Sequence, residues 1–594
     1  MKKRAATIIS IILALFMLAS CGGGTAGGAT TTAAPAAATT AAAATTAAAT
    51  TVITTTAAPL AGSAAEKSDL PIWYQPLSVG HKTITTIRSY VPDRAYEEGD
   101  SWDNNVWTRE IQAKLNITLE YLWDSTNTEF ATRLNVAIAS DDLPDYMTVP
   151  YNQFYIMAKA GKLKPIYDAA VKFGHPEYIQ GSLTRNDGIM VKQCSVDGNL
   201  YALGTAFAGT EGHMLWYRND WYAQMKKDGP PQTMDEVVDM MRYFASNDMN
   251  GDGSPTYGLA AHENLFEGAA GFDGFFSAYG AYPHIWQLLP DDTIIHGSTT
   301  DETREVLRIL QGFYNEGILH QEWYTKTGWG TLGDDVVAGQ VGLALGSIAW
   351  GDWRCAPLME AMGNNNATWT NMPIPGLEGP YTNFVPAQRR QSDVSCVNAK
   401  AADYVLEAAV KMANYKTGLL NGDMAEGRFH NVPNPNKPGE VINNFFHAVF
   451  IAGGGLGESW NYVCALAVTE ALETGDASKL NGEQTSYYNR CKNYLNGDFA
   501  GYTSYSIFGP EGSQYTGQLM RDMNLFNINP FFGANTDTMN EYWSIIQSKR
   551  NEIFTNIITG DNVDSLFDEY LSFFNAMSGD VITKEVNEWY ISTK

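Results

Sequence analysis

The sequence predicts an α/β protein, with parallel strands and covering helices in its first part and a helix-rich second part. Two observations predict this. Between residues 81 and 150, period-two and helical patterns alternate as strand, helix, strand, helix, strand. From residue 201 onward, amphipathic helical segments dominate.

The first part supplies its elements in order. "HKTITTIRSY" (81–90) alternates Thr and Ile and reads as a strand. "NNVWTREIQAKLN" (104–116) is a helix placing Val106, Ile111 and Leu115 inward. "ITLEYLW" (117–123) is a second strand, "NTEFATRLNVAIASDDLPD" (127–145) a helix ending before Pro144, and "YMTVP" (146–150) a third strand. Right-handed crossovers make such strands parallel. Open parallel sheets bind ligands beyond the carboxyl ends of their strands. Here those ends carry Ser89 and Tyr90, Trp123 and Asp124, and Tyr151, Asn152 and Gln153. Each pairs an aromatic with a hydrogen-bonding group, which suits a sugar face, although each ring can equally pack beneath a loop.

In the second part, "TMDEVVDMMRYFAS" (233–246) opens with Thr233 as N-cap and Glu236 three residues on, a capping box. "TTDETREVLRILQGFYNEG" (299–317) is an amphipathic helix closed by Gly317. "DDVVAGQVGLALGSIAW" (334–350) reads as a helical turn and a buried strand. Residues 401–415, 562–577 and 581–590 are helices.

The N-terminus fixes a compartment. "MKKRAATIISIILALFMLASC" has cations at Lys2, Lys3 and Arg4, and its apolar run is too short to span a bilayer. "LASC" matches a bacterial lipobox, so residues 1–20 are expected to be a signal peptide and Cys21 the lipidated residue. Residues 21–65, nearly all Thr, Ala and Gly after Cys21, cannot build a core and read as a disordered tether. Such a chain holds its ends about 35–40 Å apart. The predicted location is the outer face of the cell membrane, held by the lipid alone. Losing the signal's three cations takes the formal charge from −26 to −29. That disfavours nucleic acid, anionic lipid and polyanionic ligands. The five other cysteines, Cys194, Cys355, Cys396, Cys464 and Cys491, are widely spaced and expected to be mostly buried thiols, with one disulfide open.

A series of phrases then carries a resemblance. "GKLKPIYDAAVKFG" (161–174), "VDGNLYALGT" (196–205), "LWYRNDWYAQM" (215–225), "PPQTMDEVVDMMRYFASND" (230–248), "NEGILHQEW" (315–323), "VAGQVGLALG" (337–346) and "NEIFTNIITGD" (551–561) occur in one order. In that order the chain resembles the family 1 extracellular solute-binding lipoproteins of ABC importers, specifically the large LipO-like oligosaccharide-binding group. The resemblance implies a two-lobed, periplasmic-binding-protein-like (type II) α/β fold with a central ligand cleft, a hinge and a helix-rich second lobe. It places lobe 1 at 66–200 plus about 396–510, and lobe 2 at 201–395 plus about 511–594. It implies a monomer that captures an oligosaccharide and passes it to the transmembrane subunits of an ABC permease, without catalysis, and the acidic charge favours a neutral one. The alternatives are a tethered glycan-degrading enzyme, which needs two carboxylates about 5–10 Å apart across a cleft, and a glycan-sensing or adhesive lipoprotein. No zincin, phosphate-loop or G-x-S-x-G motif occurs; "HENLF" (262–266) lacks a second His and "GGGLG" (453–457) precedes no Lys-Ser/Thr.

"NDMNGDGSPTYGL" (247–259) resembles the family's structural calcium loop but lacks the Asp expected before Thr256, where Pro255 stands. Asp248, Asn250, Asp252 and the Ser254 carbonyl make four oxygens, below the six to eight calcium takes. Two readings stay open: a structural calcium completed by water or Glu263, and a turn that caps its helix without an ion. For sugar, the expected contacts are Trp350, Asp352 and Trp353 in "GSIAWGDW" (346–353), Glu458, Trp460 and Asn461 after the glycine run, Arg389 near the hinge, and Tyr282 and Trp286. Tyr90, Trp123, Asp124 and Tyr151 join them from the strand ends.

Overall fold

A computed structural model describes residues 70–594 apart from 91–93, 207–211, 267–268, 329, 353–354, 363–366, 389–390, 437–440 and 458. Cys21, the tether, Trp353, Arg389 and Glu458 therefore lie outside the described residues.

The chain begins with β1 (Lys82–Tyr90), α1 (Val106–Leu115), β2 (Ile117–Thr126), α2 (Asn127–Ser140) and β3 (Tyr146–Pro150). Asn105 caps α1: its side chain accepts from the Trp107 and Thr108 N–H groups, and Thr108 Oγ1 returns the bond to the Asn105 N–H. Asn116, in the left-handed region at φ 57°, ends the helix and turns the chain into β2. β1 and β2 pair in parallel from Lys82–Ile117 to Tyr90–Thr126, with one bulge after Thr86. α3 (Tyr151–Lys159), α4 (Gly181–Cys194) and β4 (Ala202–Leu203) follow. The parallel expectation needs one change. β3 hydrogen-bonds to neither β1 nor β2; it pairs antiparallel with β9 (Asp393–Val397), which also pairs antiparallel with β4. β3 and β4 thus run the same way, with a strand from far along the chain between them.

β5 (Met214–Arg218) is the centre of a second sheet, antiparallel to both β6 (Leu343–Gly346) and β7 (Trp369–Met372). Around it lie α5 (Met234–Ser246) and α6 (Asp301–Glu316). Thr233 caps α5 by accepting from the Glu236 N–H, but the Glu236 carboxylate reaches the Gln232 N–H instead of closing the box. β8 (Val385–Ala387) pairs in parallel with β10 (Phe526–Ile528). Helix α7 (Tyr404–Leu420) is buried along almost its whole length; α8 (Trp460–Thr474), α9 (Gly482–Leu495), α10 (Tyr502–Phe508) and α11 (Ser513–Asp522) follow it, and α12 (Asp537–Ile558), α13 (Val563–Ala576) and α14 (Gly579–Ser592) close the chain.

The buried apolar side chains form two large clusters. One collects residues from Tyr74 to Ala206 and from Val394 to Ile451; the other collects Met214 to Ala387 and Tyr502 to Val586. Smaller clusters under α8 to α10 centre on Cys464 and Cys491. Along the chain, residues 204–213 and 388–393 pass between the two large cores, and the segment between Ile451 and Tyr502, which carries the smaller clusters, returns to the second. The five described cysteines are buried thiols outside any disulfide. Among the described residues no helix is long and apolar enough to cross a membrane.

Candidate functional site

The carboxyl edge of the first core holds two cavities on either side of the 449–457 loop. The first, of about 340 Å³, sits where β1 and β3 end and β9 begins, lined by Arg88, Tyr90, Arg94, Trp102, Asp393 and Phe450 among others. The Tyr90 ring stands edge-on to Trp102 at 5.7 Å. Arg88 is buried beneath it and pairs with Asp103 at 2.9 Å and Asp124 at 3.2 Å, its guanidinium 4.0 Å from the Tyr121 ring centre. Burial opposes its charge, but Tyr121 and the two carboxylates outweigh burial and raise its pKa. Arg94 donates to the Phe446 carbonyl at 2.9 Å, and burial lowers its pKa. Burial raises the Asp393 pKa.

The second cavity, of about 380 Å³, is lined by Arg185, Thr205, Asn421, the backbone of Gly454–Gly457, Trp460 and Asn461. Two of its side chains are oriented from behind by one carboxylate: Glu483 accepts from Trp460 Nε1 at 2.8 Å and from Asn421 Nδ2 at 2.9 Å. A third cavity, of about 560 Å³, lies by the second core, where Asn264, Phe266, His284, Gln388, Gln547 and Arg550 converge. Gln388 opens the connecting stretch that runs into Asp393 of the first cavity. A fourth, larger cavity, about 930 Å³, runs along α3 and α4 against residues 532–537 and the C-terminal residues and reaches Tyr151 at the end of β3.

Several expected contacts sit elsewhere. Trp350 is fully enclosed, edge-on to Trp369 at 5.5 Å, so its ring offers no open face in this conformation. Trp286 is buried between Trp543, His296 and Phe531. Tyr151 is buried, donates to the Gln193 carbonyl and borders the fourth cavity. Trp123 packs on Phe130 beneath Arg133, and Asp124 serves the Arg88 pair. Tyr282 is half-buried, and burial raises its pKa. Asp352 lies in a turn at Trp350–Asp352. Tyr90, Trp460 and Asn461 do line the strand-edge cavities. Arg88, Arg94, Trp102, Phe450 and Gln388 were missed; the cluster "RAYEEGDSW" (94–102) just after β1 was the available signal.

The 248–254 loop closes on itself. Asp248 accepts from the Gly251 and Gly253 N–H groups, and Asp252 from the Ser254 N–H. Asn250 donates to the Gly339 carbonyl at 2.6 Å, while its own oxygen faces the Arg218 guanidinium at 3.4 Å. Glu263 lines the third cavity instead of completing the loop. Among the described residues no group of three His, Cys, Asp or Glu side chains is placed to hold a metal. The donors at hand do not make a full calcium shell.

No protein-family model matches the chain. One curated relative, the fructooligosaccharide ABC transporter substrate-binding protein FusA of Streptococcus pneumoniae, is 22% identical over 218 residues, covering 34% of this chain. The match spans 39% of that relative's length. Solved structures align far more widely. FusA of S. pneumoniae with kestose superposes at TM-score 0.56 and 13% identity, over 86% of this chain and 99% of that one. An HMO-binding, ABC-transporter-associated solute-binding protein of Bifidobacterium longum infantis reaches 0.58 at 14% identity, over 86% and 99%. Alginate-binding AlgQ2 without calcium ion gives 0.56 at 14%, over 87% and 99%. This chain has the two-lobed solute-binding-protein fold.

Proposed function

We propose that the chain is a cell-surface solute-binding lipoprotein that captures an oligosaccharide between its lobes and delivers it to an ABC permease without altering it. The carrying observation is the pair of cavities at the carboxyl edge, where Tyr90, Trp102 and Trp460 meet Arg88, Asn421 and Asn461. Aromatic rings stack on the apolar faces of sugar rings, and planar amides and guanidinium groups serve the hydroxyls. The fold supports the reading, and so do relatives described with kestose or as HMO-binding. Lipid anchoring at Cys21, the monomeric state and the permease partner belong to the same proposal. The lobes belong to it as well, with residues 66–200 and about 396–510 in lobe 1 and residues 201–395 and about 511–594 in lobe 2.

Calorimetric titration of the mature chain against neutral plant and host oligosaccharides tests this. We expect saturable binding with unchanged sugar recovered afterwards, and about tenfold weaker binding for both Tyr90→Ala and Trp460→Ala. Released shorter sugars would establish a hydrolase instead, and absence of binding across the panel would refute the carrier.

A further inference from the structure

The two strand-edge cavities are separated by the 449–457 loop, and polar side chains from three distant segments, donors from two and an acceptor from the third, hold that loop. Phe450 walls the first cavity, and Gly454–Gly457 wall the second. The backbone between them is tied residue by residue. The Phe450 carbonyl accepts from the Tyr146 hydroxyl at 3.0 Å and from Thr148 Oγ1 at 2.8 Å. The Ile451 carbonyl accepts from the Lys416 ammonium. The Ala452 N–H donates to Ser395 Oγ at 2.8 Å. Ser395 Oγ also lies 2.7 Å from the Tyr146 hydroxyl and 2.9 Å from Thr148 Oγ1, so the three hydroxyls form one cluster. Tyr146 and Ser395 are both 0% exposed.

This loop needs such anchoring. Gly453, Gly454, Gly455 and Gly457 have φ of 89°, 79°, 131° and 101°. Glycine loses the most backbone freedom on ordering, so a run of them stays fixed only when its polar groups find firm partners. The loop also lies flush against its neighbours. A Cβ at Gly453 would come within 2.7 Å of Leu203 Cβ, and one at Gly454 within 2.9 Å of Thr417 Oγ1. Lys416 makes no ion pair among the described residues, and burial pushes its pKa down to about 8. The Ile451 carbonyl is the partner its desolvated ammonium has.

We infer that Ser395, Tyr146, Thr148 and Lys416 are positioning residues that turn the 449–457 loop into a fixed partition between two sugar subsites, which selects glycans long enough to cross it. The inference rests on the sugar-binding reading for its ligand and on hydrogen bonds alone for its geometry. A single sugar fills one side; a chain that crosses the partition gains contacts on both.

Two measurements on the mature chain test it. The first is hydrogen–deuterium exchange of the 446–457 segment in the wild type, Ser395→Thr, Ser395→Val and Lys416→Met. Thr and Val have the same shape and differ in the hydroxyl. We expect exchange to rise about tenfold in Ser395→Val while the rest of the protein keeps its protection, and to stay near wild type in Ser395→Thr. Equal protection in the Thr and Val variants overturns the partition. If Ser395→Val unfolds outright, Lys416→Met gives the same readout with the hydroxyl cluster intact, and unchanged exchange there overturns it. The second is titration with malto-, xylo- and fructo-oligosaccharide ladders, starting from the monosaccharide. We expect a step of about tenfold in wild-type affinity at one chain length, lost in Ser395→Val and kept in Ser395→Thr. A monosaccharide bound as tightly as the longest member overturns the partition. No binding by any ladder, with the exchange contrast intact, counts against the sugar reading and leaves the partition standing.

Discussion

Glu483 is a buried carboxylate, 3% exposed, that no cation pairs with among the described residues. Three N–H and O–H donors hold it, Trp460 Nε1 at 2.8 Å, Asn421 Nδ2 at 2.9 Å and the Tyr487 hydroxyl at 3.0 Å, and the Cys464 thiol adds a weak fourth contact at 3.8 Å. Two of those donors line the second cavity, so this carboxylate sets the cavity's shape from behind. Glu483→Ala orphans all three. An orphaned buried donor costs about 1–3 kcal/mol. Trp460 and Asn421 border a cavity that water reaches, so they fall at the low end. Tyr487 is stacked on Phe508 at 3.7 Å with no such access and falls higher. The sum is about 3–4 kcal/mol of stability. Glu483→Gln keeps the shape and one acceptor, and should lose about 1 kcal/mol. Sugar affinity should fall about tenfold in the Ala variant, because the indole is then free to turn. Urea unfolding followed by far-UV circular dichroism measures the first effect, with an unchanged m-value as the check that the unfolded state is the same. Calorimetry measures the second. An Ala variant within about 1 kcal/mol of wild type would refute the reasoning, because three half-buried donors cannot all lose a buried acceptor that cheaply.

The remaining predictions concern other parts of the molecule. Lys411→Met leaves the Glu407 carboxylate, held at 2.7 Å by that ammonium and by Ser78, buried without its counter-ion; stability should fall by about 3–5 kcal/mol in urea unfolding. Burial holds the His296 imidazole well below its usual pKa, with Arg550 and His284 adding to the effect. The unfolded chain therefore binds the extra proton below about pH 6.5. Stability should accordingly fall as the pH drops from 7 to 5, and a flat profile in that window would contradict the buried neutral ring. Gly453→Ala forces a Cβ into contact with Leu203 at φ 89° and should cost about 1–3 kcal/mol together with a loss of sugar affinity. Chelation with EDTA should leave the melting temperature unchanged, because the 248–254 loop is closed by its own hydrogen bonds; a rise in melting temperature with added calcium would reinstate a metal there.

How much of this was legible in the sequence follows from the range of the interactions. β1, α1, β2, α2 and β3 were readable because period and capping are local: Asn105, Asn116, Thr233 and Gly317 act within a turn of where they stand. β9 was not, because its place between β3 and β4 depends on partners about 250 and 190 residues away. Trp350 and Trp286 show the same limit from another side. An aromatic in a glycine-rich segment looks the same whether it faces a ligand or a core, and only the packing of Trp369 or Trp543 against it decides. The glycine run at 453–457 shows in the sequence only that it is no phosphate loop. Its anchors, Tyr146, Thr148, Ser395 and Lys416, come from three other segments, and none carries a local signal that it points there.

The distribution of cations bears on what the strand-edge site accepts. The chain carries 39 Lys and Arg against 65 Asp and Glu, so a guanidinium beside a cavity stands out against the field. Arg88 is already compensated by two carboxylates, Asp103 and Asp124. Arg185 spends its donors on the Gly455 and Glu177 carbonyls. Arg94 gives one donor to the Phe446 carbonyl, and Asp393 lines the same cavity. A site built to capture an anion would leave a cation free of such partners. Arg88 has its charge answered by carboxylates and Arg94 and Arg185 have donors occupied by carbonyls, so these guanidinium groups act as stiff donor frames, which suits hydroxyl groups better than carboxylates. A uronate oligomer should therefore bind more weakly than its neutral counterpart of the same linkage, and Arg94→Gln should weaken the neutral sugar without reversing that order. Tighter binding of the uronate would show that the surrounding carboxylates do not cancel the Arg94 charge and would overturn the preference for neutral glycans.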